Sequence, residues 1–258
     1  MKRQPILLAF VVLVLLFLAL PIFIIVPMSF SEARFLSFPP PGYSLRWYTA
    51  FFTNPAWLDA AKTSLTVAVL ATVIATPIGI AAAYAISNST LRVVRWIRAM
   101  LLLPLMIPVI IVAIGVFFVY AQMGLIATMT GLVLANVMLG LPYMVISVTA
   151  GLASFDINQE MAARSLGMNR FRSVMAVTLP QIRPSIVSGA VFVFISALDE
   201  TIVSLFISGG QNQTLTKRMF TSLRDEIDPT IAAISTLLTA ASFVLVMVVA
   251  LSRRKKNE

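Results

Sequence analysis

The chain has 258 residues, 59% hydrophobic and only 11% charged, where soluble domains carry about 25% charged residues. Its mean hydropathy of +0.96 points to a polytopic membrane protein, and in that setting the formal charge of +9 is the basic bias of cytoplasmic loops rather than a nucleic-acid signal. Cysteine and histidine are absent, which excludes disulfides, thiolate or imidazole metal sites and Cys or His nucleophiles; no glycine-rich phosphate loop occurs either.

Six apolar stretches, near 6–28, 64–86, 99–122, 130–152, 186–207 and 231–251, each supply the ~20 residues that a helix needs to cross ~30 Å of hydrocarbon. No alternating barrel pattern appears, so backbone satisfaction in lipid predicts six transmembrane helices in one all-α domain covering 1–258. The first stretch follows Lys2 and Arg3, but it is too long for a signal peptide and reads as an uncleaved anchor. On the second, Ala71, Ala75, Gly79 and Ala83 form a small-residue ridge for close helix packing. Pro77, Pro104, Pro108 and Pro142 are expected to kink or shorten their helices.

Orientation follows from Lys and Arg. With the N-terminus inside, the cytoplasmic side holds 13 of the 19 basic residues, among them Lys2, Arg3, Arg92, Arg95, Arg98, Arg253, Arg254, Lys255 and Lys256. The other side holds Arg34, Arg46, Lys62, Lys217, Arg218 and Arg224, partly offset by Glu32, Asp59, Asp225, Glu226 and Asp228. Both termini and the long polar loop 153–185 are therefore expected in the cytoplasm.

That loop reads as two short helices broken at a glycine. Asp156 is placed to cap the first, with Gln159 completing a capping box. Glu160 and Arg164, one turn apart, are expected to pair on the exposed face. Gly167 is the natural stop, Asn169 caps the second helix, and Pro180 is expected to end it. From Pro180 a helical rod of up to ~28 Å would reach Asp199 and Glu200, the only ionisable residues well inside a span. Ser188, Ser196, Glu200 and Ser204 fall at multiples of four, a polar stripe that suits a pore-lining helix. Two readings stand: Asp199, Glu200, Ser196 and Ser204 line a pathway for a cationic amine, or the acids form a structural pair with a neighbouring helix or subunit.

The loop resembles the E-A-A loop of permease subunits of bacterial binding-protein-dependent ABC importers, whose pattern is E-A-A, three residues, G, nine residues, then I-x-L-P. Ala162, Ala163, Gly167, Leu179 and Pro180 fall on that pattern, with Val177 in the isoleucine place. The glutamate place holds Met161, and Glu160 lies one residue early, a turn of roughly 100° on a helix. Ser44-Leu45-Arg46-Trp47-Tyr48, Leu198-Asp199-Glu200 and the run from Asp228 to Ala233 resemble the polyamine group of these permeases. Trp47 and Tyr48 have two readings of equal weight, an interfacial anchor or a partner-binding role.

The resemblance implies a type I importer permease of the bacterial inner membrane, with a second, related permease chain, two ATP-binding subunits and a soluble substrate-binding protein. It implies a non-catalytic subunit without cofactors, since ATP and Mg would be bound by the partner ATPase. Ala162, Ala163 and Gly167 would allow close packing on that ATPase, Glu160 and Arg164 would make polar contacts, and Met168 or Phe171 would anchor. Met161, Leu179 and Pro180 complete the implied coupling set, and putrescine or spermidine is the implied cargo. The alternative class is an ion-coupled carrier or channel with Asp199 and Glu200 as a proton relay. A third class, an intramembrane hydrolase, fits poorly, because there is no His or Cys and adjacent acids on one helix draw no catalytic dyad.

Overall fold

The computed structural model describes residues 5–225 and 228–254. Of the charges used for orientation, Lys2, Arg3, Glu226, Lys255 and Lys256 lie outside the described residues, as do the side chains of Arg253 and Arg254. The elements are α1 (Pro5–Ser29), α2 (Arg46–Thr53), α3 (Pro55–Ser87), α4 (Arg92–Met106), α5 (Val109–Met123), α6 (Met129–Ala153), α7 (Ile157–Ser165) and α8 (Arg170–Ser173). A π-helical turn (Val174–Thr178) follows, then α9 (Leu179–Gln181), α10 (Arg183–Asp199), α11 (Ile202–Ile207), α12 (Leu215–Asp225) and α13 (Thr230–Arg254). Extended pairing among the described residues is limited to isolated bridges at Ser31–Tyr43 and Gly209–Asn212.

Leu7–Ser29, Pro55–Ser87, Met129–Ala153 and Thr230–Val248 are each long and apolar enough to cross a bilayer. The third and fifth expected spans are not single helices. The third starts earlier, at Arg92, and turns by 107° between α4 and α5. The cause is Pro108, which has no N–H to donate and drives Ile107 into extended backbone at ψ 138°. Pro77, Pro104 and Pro142 sit inside helices that continue through them, so only Pro108 ends one. The fifth stops at Asp199, with Glu200 extended at ψ 115°, and resumes as α11.

The chain sorts into two compact units, one formed by the residues up to Leu58 with Arg218–Val244, the other by Asp59–Lys217 and the residues from Leu245 on. In the first, the apolar α1 ends at Ser29, whose hydroxyl donates to the Val26 carbonyl at 2.6 Å and shares a 2.7 Å hydrogen bond with the Tyr48 hydroxyl. Tyr48 also stacks on Phe30 at 5.1 Å, so it is tied into its own unit. Arg46 lies over Trp47 and donates to the Glu32 carbonyl at 3.0 Å, and Arg218 lies over the buried Trp57.

The second unit is built around α6, whose buried face carries Leu132, Val133, Ala135, Val137, Met144 and Val148. The small ridge of α3 is buried as expected, with Ala71, Ala75 and Ala83 fully covered. A Cβ on Gly79 would come within 2.5 Å of Met144, and one on Gly140 within 2.7 Å of Val193, so α3 and α10 both lie against α6 more closely than larger residues would allow. The Ser147 hydroxyl donates to the Ser185 carbonyl at 2.7 Å and pins α10 along α6.

Candidate functional site

Two polar insertions stand out in the second unit. The first is the loop from Asp156 to Gln181. Asp156 caps α7 by accepting from Asn158 N–H at 3.0 Å, and Asn169 caps α8 by accepting from Arg172 N–H at 2.8 Å. Gly167 takes φ +94°, with its N–H on the Arg164 carbonyl and that of Met168 on Ala163, which satisfies the last carbonyls of α7. The expected capping box does not form, because the Gln159 amide is bonded to Gln181 instead. Nor does Pro180 end the second helix, which runs on to Gln181. The π turn just before it widens the backbone where a proline ring would otherwise strike the carbonyl four residues back.

Glu160 overturns the exposed pair with Arg164. It is 2% exposed, and its carboxylate accepts from the Tyr84 hydroxyl at 2.7 Å and the Thr178 hydroxyl at 2.8 Å. Arg164 stays exposed, and the ion pairs among the described residues are Lys62–Asp59 and Arg224–Asp225. Glu160 thus ties α7 to the end of α3 and to the π turn, and is turned away from any surface a partner would meet. Ala163 is buried beside it, and Leu179 is half-buried. Outside lie Met161, Ala162, Gly167, Met168 and Pro180, with Phe171 at 69% and Leu166 at 87% exposure. Sequence reasoning missed Leu166, Tyr84 and Thr178. An apolar residue directly before a glycine stop was the available signal for Leu166.

The second insertion is the break between α10 and α11. Asp199, Glu200 and Thr201 border a cavity of about 640 Å³, with Ser196, Ile195 and Phe192 of α10, Leu139 and Tyr143 of α6, and Pro104, Leu105, Ile107 and Val109 around the α4–α5 bend. Both interrupted spans therefore open onto one cavity. Non-helical backbone at membrane depth is tolerated where it lines a cavity or is buried in protein.

The two acids have different partners. Glu200 accepts from the N–H groups of Val203 at 2.7 Å and Ser204 at 2.8 Å, so it caps α11. Its own carbonyl accepts from the Thr216 hydroxyl at 2.8 Å. Leu215 N–H is bound to the Ser64 hydroxyl at 2.8 Å, which anchors the start of α12 to α3. Beside it, Lys217 donates to the Ser208 carbonyl, and burial pushes its ammonium below the ordinary lysine range. Asp199 is exposed at the cavity, and the bond recorded at that residue, from the Thr201 hydroxyl, goes to its backbone carbonyl. The expected stripe is corrected accordingly. Ser196 lines the cavity, Ser204 is buried in α11, and Ser188 and Ser204 are not among the lining residues, because one continuous helix was assumed where the chain breaks. The expected rod from Pro180 is also corrected: α10 begins at Arg183, after a 77° bend at Ile182.

Residues 75–257 match the family described as binding-protein-dependent transport system inner membrane component. The chain belongs to that family. It is 32% identical to the spermidine/putrescine transport system permease protein PotC of Haemophilus influenzae over 250 residues, 96% of each chain. It is 29% identical to the putrescine transport system permease protein PotI of Escherichia coli, covering 93% of this chain and 87% of the relative. Among solved structures it is similar to a bacterial ABC transporter involved in the import of the acidic polysaccharide alginate, with a TM-score of 0.76 at 16% identity over 100% of this chain and 98% of the other. An amino acid ABC transporter follows at a TM-score of 0.62 and 21% identity, over 81% of this chain and 98% of that one. At such identities these two establish the fold, that of type I ABC importer permeases. The fold recurs in a transporter for a polyanion, so the charge of a cargo is set by the site and not by the architecture. As a member of this family, the chain is an integral inner membrane component of a transport system.

Proposed function

We propose that this permease forms the membrane path for a polyamine such as spermidine or putrescine, in an importer driven by a partner ATPase. The observation that carries the reading is Asp199. It is the one carboxylate at the cavity whose oxygens are not engaged by its own chain's helix-capping bonds, and it sits in a chain that matches polyamine permeases over nearly its full length. A protonated amine meets there a carboxylate flanked by the Ser196 and Thr201 hydroxyls, with the Tyr143, Phe192 and Leu139 side chains supplying apolar surface for the methylene segments.

In this reading the exposed Met161, Ala162, Arg164, Leu166, Gly167, Met168 and Phe171 face the ATPase, and Glu160 holds that surface in place from beneath. The ATPase binds ATP and Mg, while the permease performs no chemistry of its own. A related permease chain, a second ATP-binding subunit and a soluble substrate-binding protein complete the assembly, with the loop and both termini on the cytoplasmic side.

Uptake by the assembled transporter in proteoliposomes tests the proposal. ATP-dependent accumulation of labelled spermidine or putrescine, competed by the other polyamine and not by an oxyanion such as molybdate, is the expected result. Competition by the oxyanion would assign the path to a different cargo; a molybdenum transport system permease is 29% identical over 78% of this chain. Accumulation that persists without ATP and collapses with an uncoupler would replace the ATPase-driven reading with an ion-coupled one.

A further inference from the structure

Between Asp59 and Asp156 the sequence has no acidic residue, yet this stretch carries Arg92, Arg95 and Arg98. Spacing of three places them on one side of the first two turns of α4. All three are exposed, as are Val93, Trp96, Ile97 and Met100 on the same turns, and no residue of α4 is buried. No hydrogen bond, ion pair or ring contact among the described residues engages these guanidinium groups. The carboxylates of the same unit are committed elsewhere: Asp59 pairs with Lys62, Asp156 and Glu200 cap helices, Glu160 is buried, and Asp199 borders the cavity. Leu91, at the N-cap, offers no side-chain acceptor, so the helix begins uncapped.

We infer that the first turns of α4 bind the phosphate of an anionic phospholipid. Guanidinium forks match phosphate oxygens in pairs, and an uncapped helix N-terminus adds N–H donors and a favourable dipole. Trp96, 71% exposed, has the amphipathic ring that settles at headgroup level. Met100 and Leu103 continue the helix as exposed apolar residues that suit acyl chains, while the arginine stems reach back toward the headgroups. The occupant is a lipid rather than a soluble partner, because the arginines alternate with exposed valine, tryptophan, isoleucine and methionine on the same turns. Tyr84, near the end of α3, bonds to Glu160, which puts the α3–α4 turn on the same side of the unit as the loop from Asp156 to Gln181.

The chain has no cysteine, so Val93→Cys gives a unique attachment point for a fluorophore on the full-length protein. Reconstituted into phosphatidylcholine nanodiscs, the labelled chain is challenged with a minority of doxyl-labelled phosphatidylglycerol or doxyl-labelled phosphatidylcholine. The expected result is a relative association constant for phosphatidylglycerol at least about fivefold higher, the effect of one arginine near a charged lipid, and weaker in high salt. Replacing all three arginines with glutamine is expected to bring the two lipids to parity, and replacing them with lysine to retain most of the preference. Equal quenching by both lipids in the chain with its arginines intact would overturn the inference, whether or not the glutamine variant inserts. So would protection of the label from both lipids that appears only with companion subunits, since a protein would then cover this face.

Discussion

Glu160 and Asp199 are both carboxylates in an otherwise apolar chain, and their surroundings are opposite. Glu160 is buried and fully used: two hydroxyls from elements distant in sequence donate to it, and it holds α7 against α3. Asp199 lies open at a cavity while its neighbour Glu200 does the structural work of capping α11. A charged group whose hydrogen-bonding capacity is met by its own chain acts on the fold, and one left open is available to a ligand. The contrast makes Glu160 a tie within the fold and, on the proposed reading, leaves Asp199 open to cargo.

The sharpest way to break it is Glu160→Ala. The buried Thr178 hydroxyl and the half-buried Tyr84 hydroxyl would lose their carboxylate acceptor at once, so a loss of about 2–3 kcal/mol is expected, read as a marked drop in the melting temperature of the purified chain. Glu160→Gln, which retains one good acceptor, should cost roughly half as much. Unchanged melting in the alanine variant would mean that Glu160 is not the tie between α7 and α3.

Asp199→Asn and Glu200→Gln test the other half of the contrast. The asparagine variant should lower polyamine uptake by about tenfold or more at unchanged melting temperature, the effect of losing one charge-assisted contact. The glutamine variant has one carbonyl oxygen for two backbone donors and should lose about 1–2 kcal/mol of stability. If the two phenotypes were exchanged, Asp199 would be structural and the assignment of cargo would fall.

What could be read in advance was whatever is local. The four unbroken spans follow from runs of apolar residues, and Asp156, Gly167 and Asn169 act within a few positions of themselves, so a short window contains their cause. Glu160 was misplaced because its partners are 76 and 18 residues away, and helical spacing offered the nearer Arg164. The break at Glu200 was hidden by apolar flanks. Its trace in the sequence is the triplet Asp199-Glu200-Thr201, the densest polar run in that span, with glutamate just ahead of the helix it caps. At α4–α5 the proline itself was legible as a kink or a shortening, and the 107° turn at Pro108 is what it produces.

Gly167→Ala is expected to have a smaller effect. A Cβ there meets no atom within 4 Å, so the cost comes only from forcing an L-residue to φ +94°. That is about 1–2 kcal/mol, confined to the turn between α7 and α8. Loss of ATP-driven uptake at near-normal melting temperature would locate coupling in that turn. Loss of stability on the scale of Glu160→Ala would show that the turn and the buried tie act as one unit.

The finest test is Thr216→Val, which removes the hydroxyl that holds the Glu200 carbonyl and keeps the shape of the side chain. About 1 kcal/mol or less is expected, because one neutral hydrogen bond to a carbonyl is lost. The informative quantity is the ratio of uptake to stability. If Asp199 draws its position from the break, a small release of the Glu200 backbone should weaken polyamine uptake more than it weakens the fold, and Thr216→Ser, which restores the donor, should recover it. If uptake and melting temperature fell strictly together in Thr216→Val, the break would be an ordinary part of the core and would give Asp199 no special placement. That outcome would leave the open carboxylate without the framework that distinguishes it from Glu160.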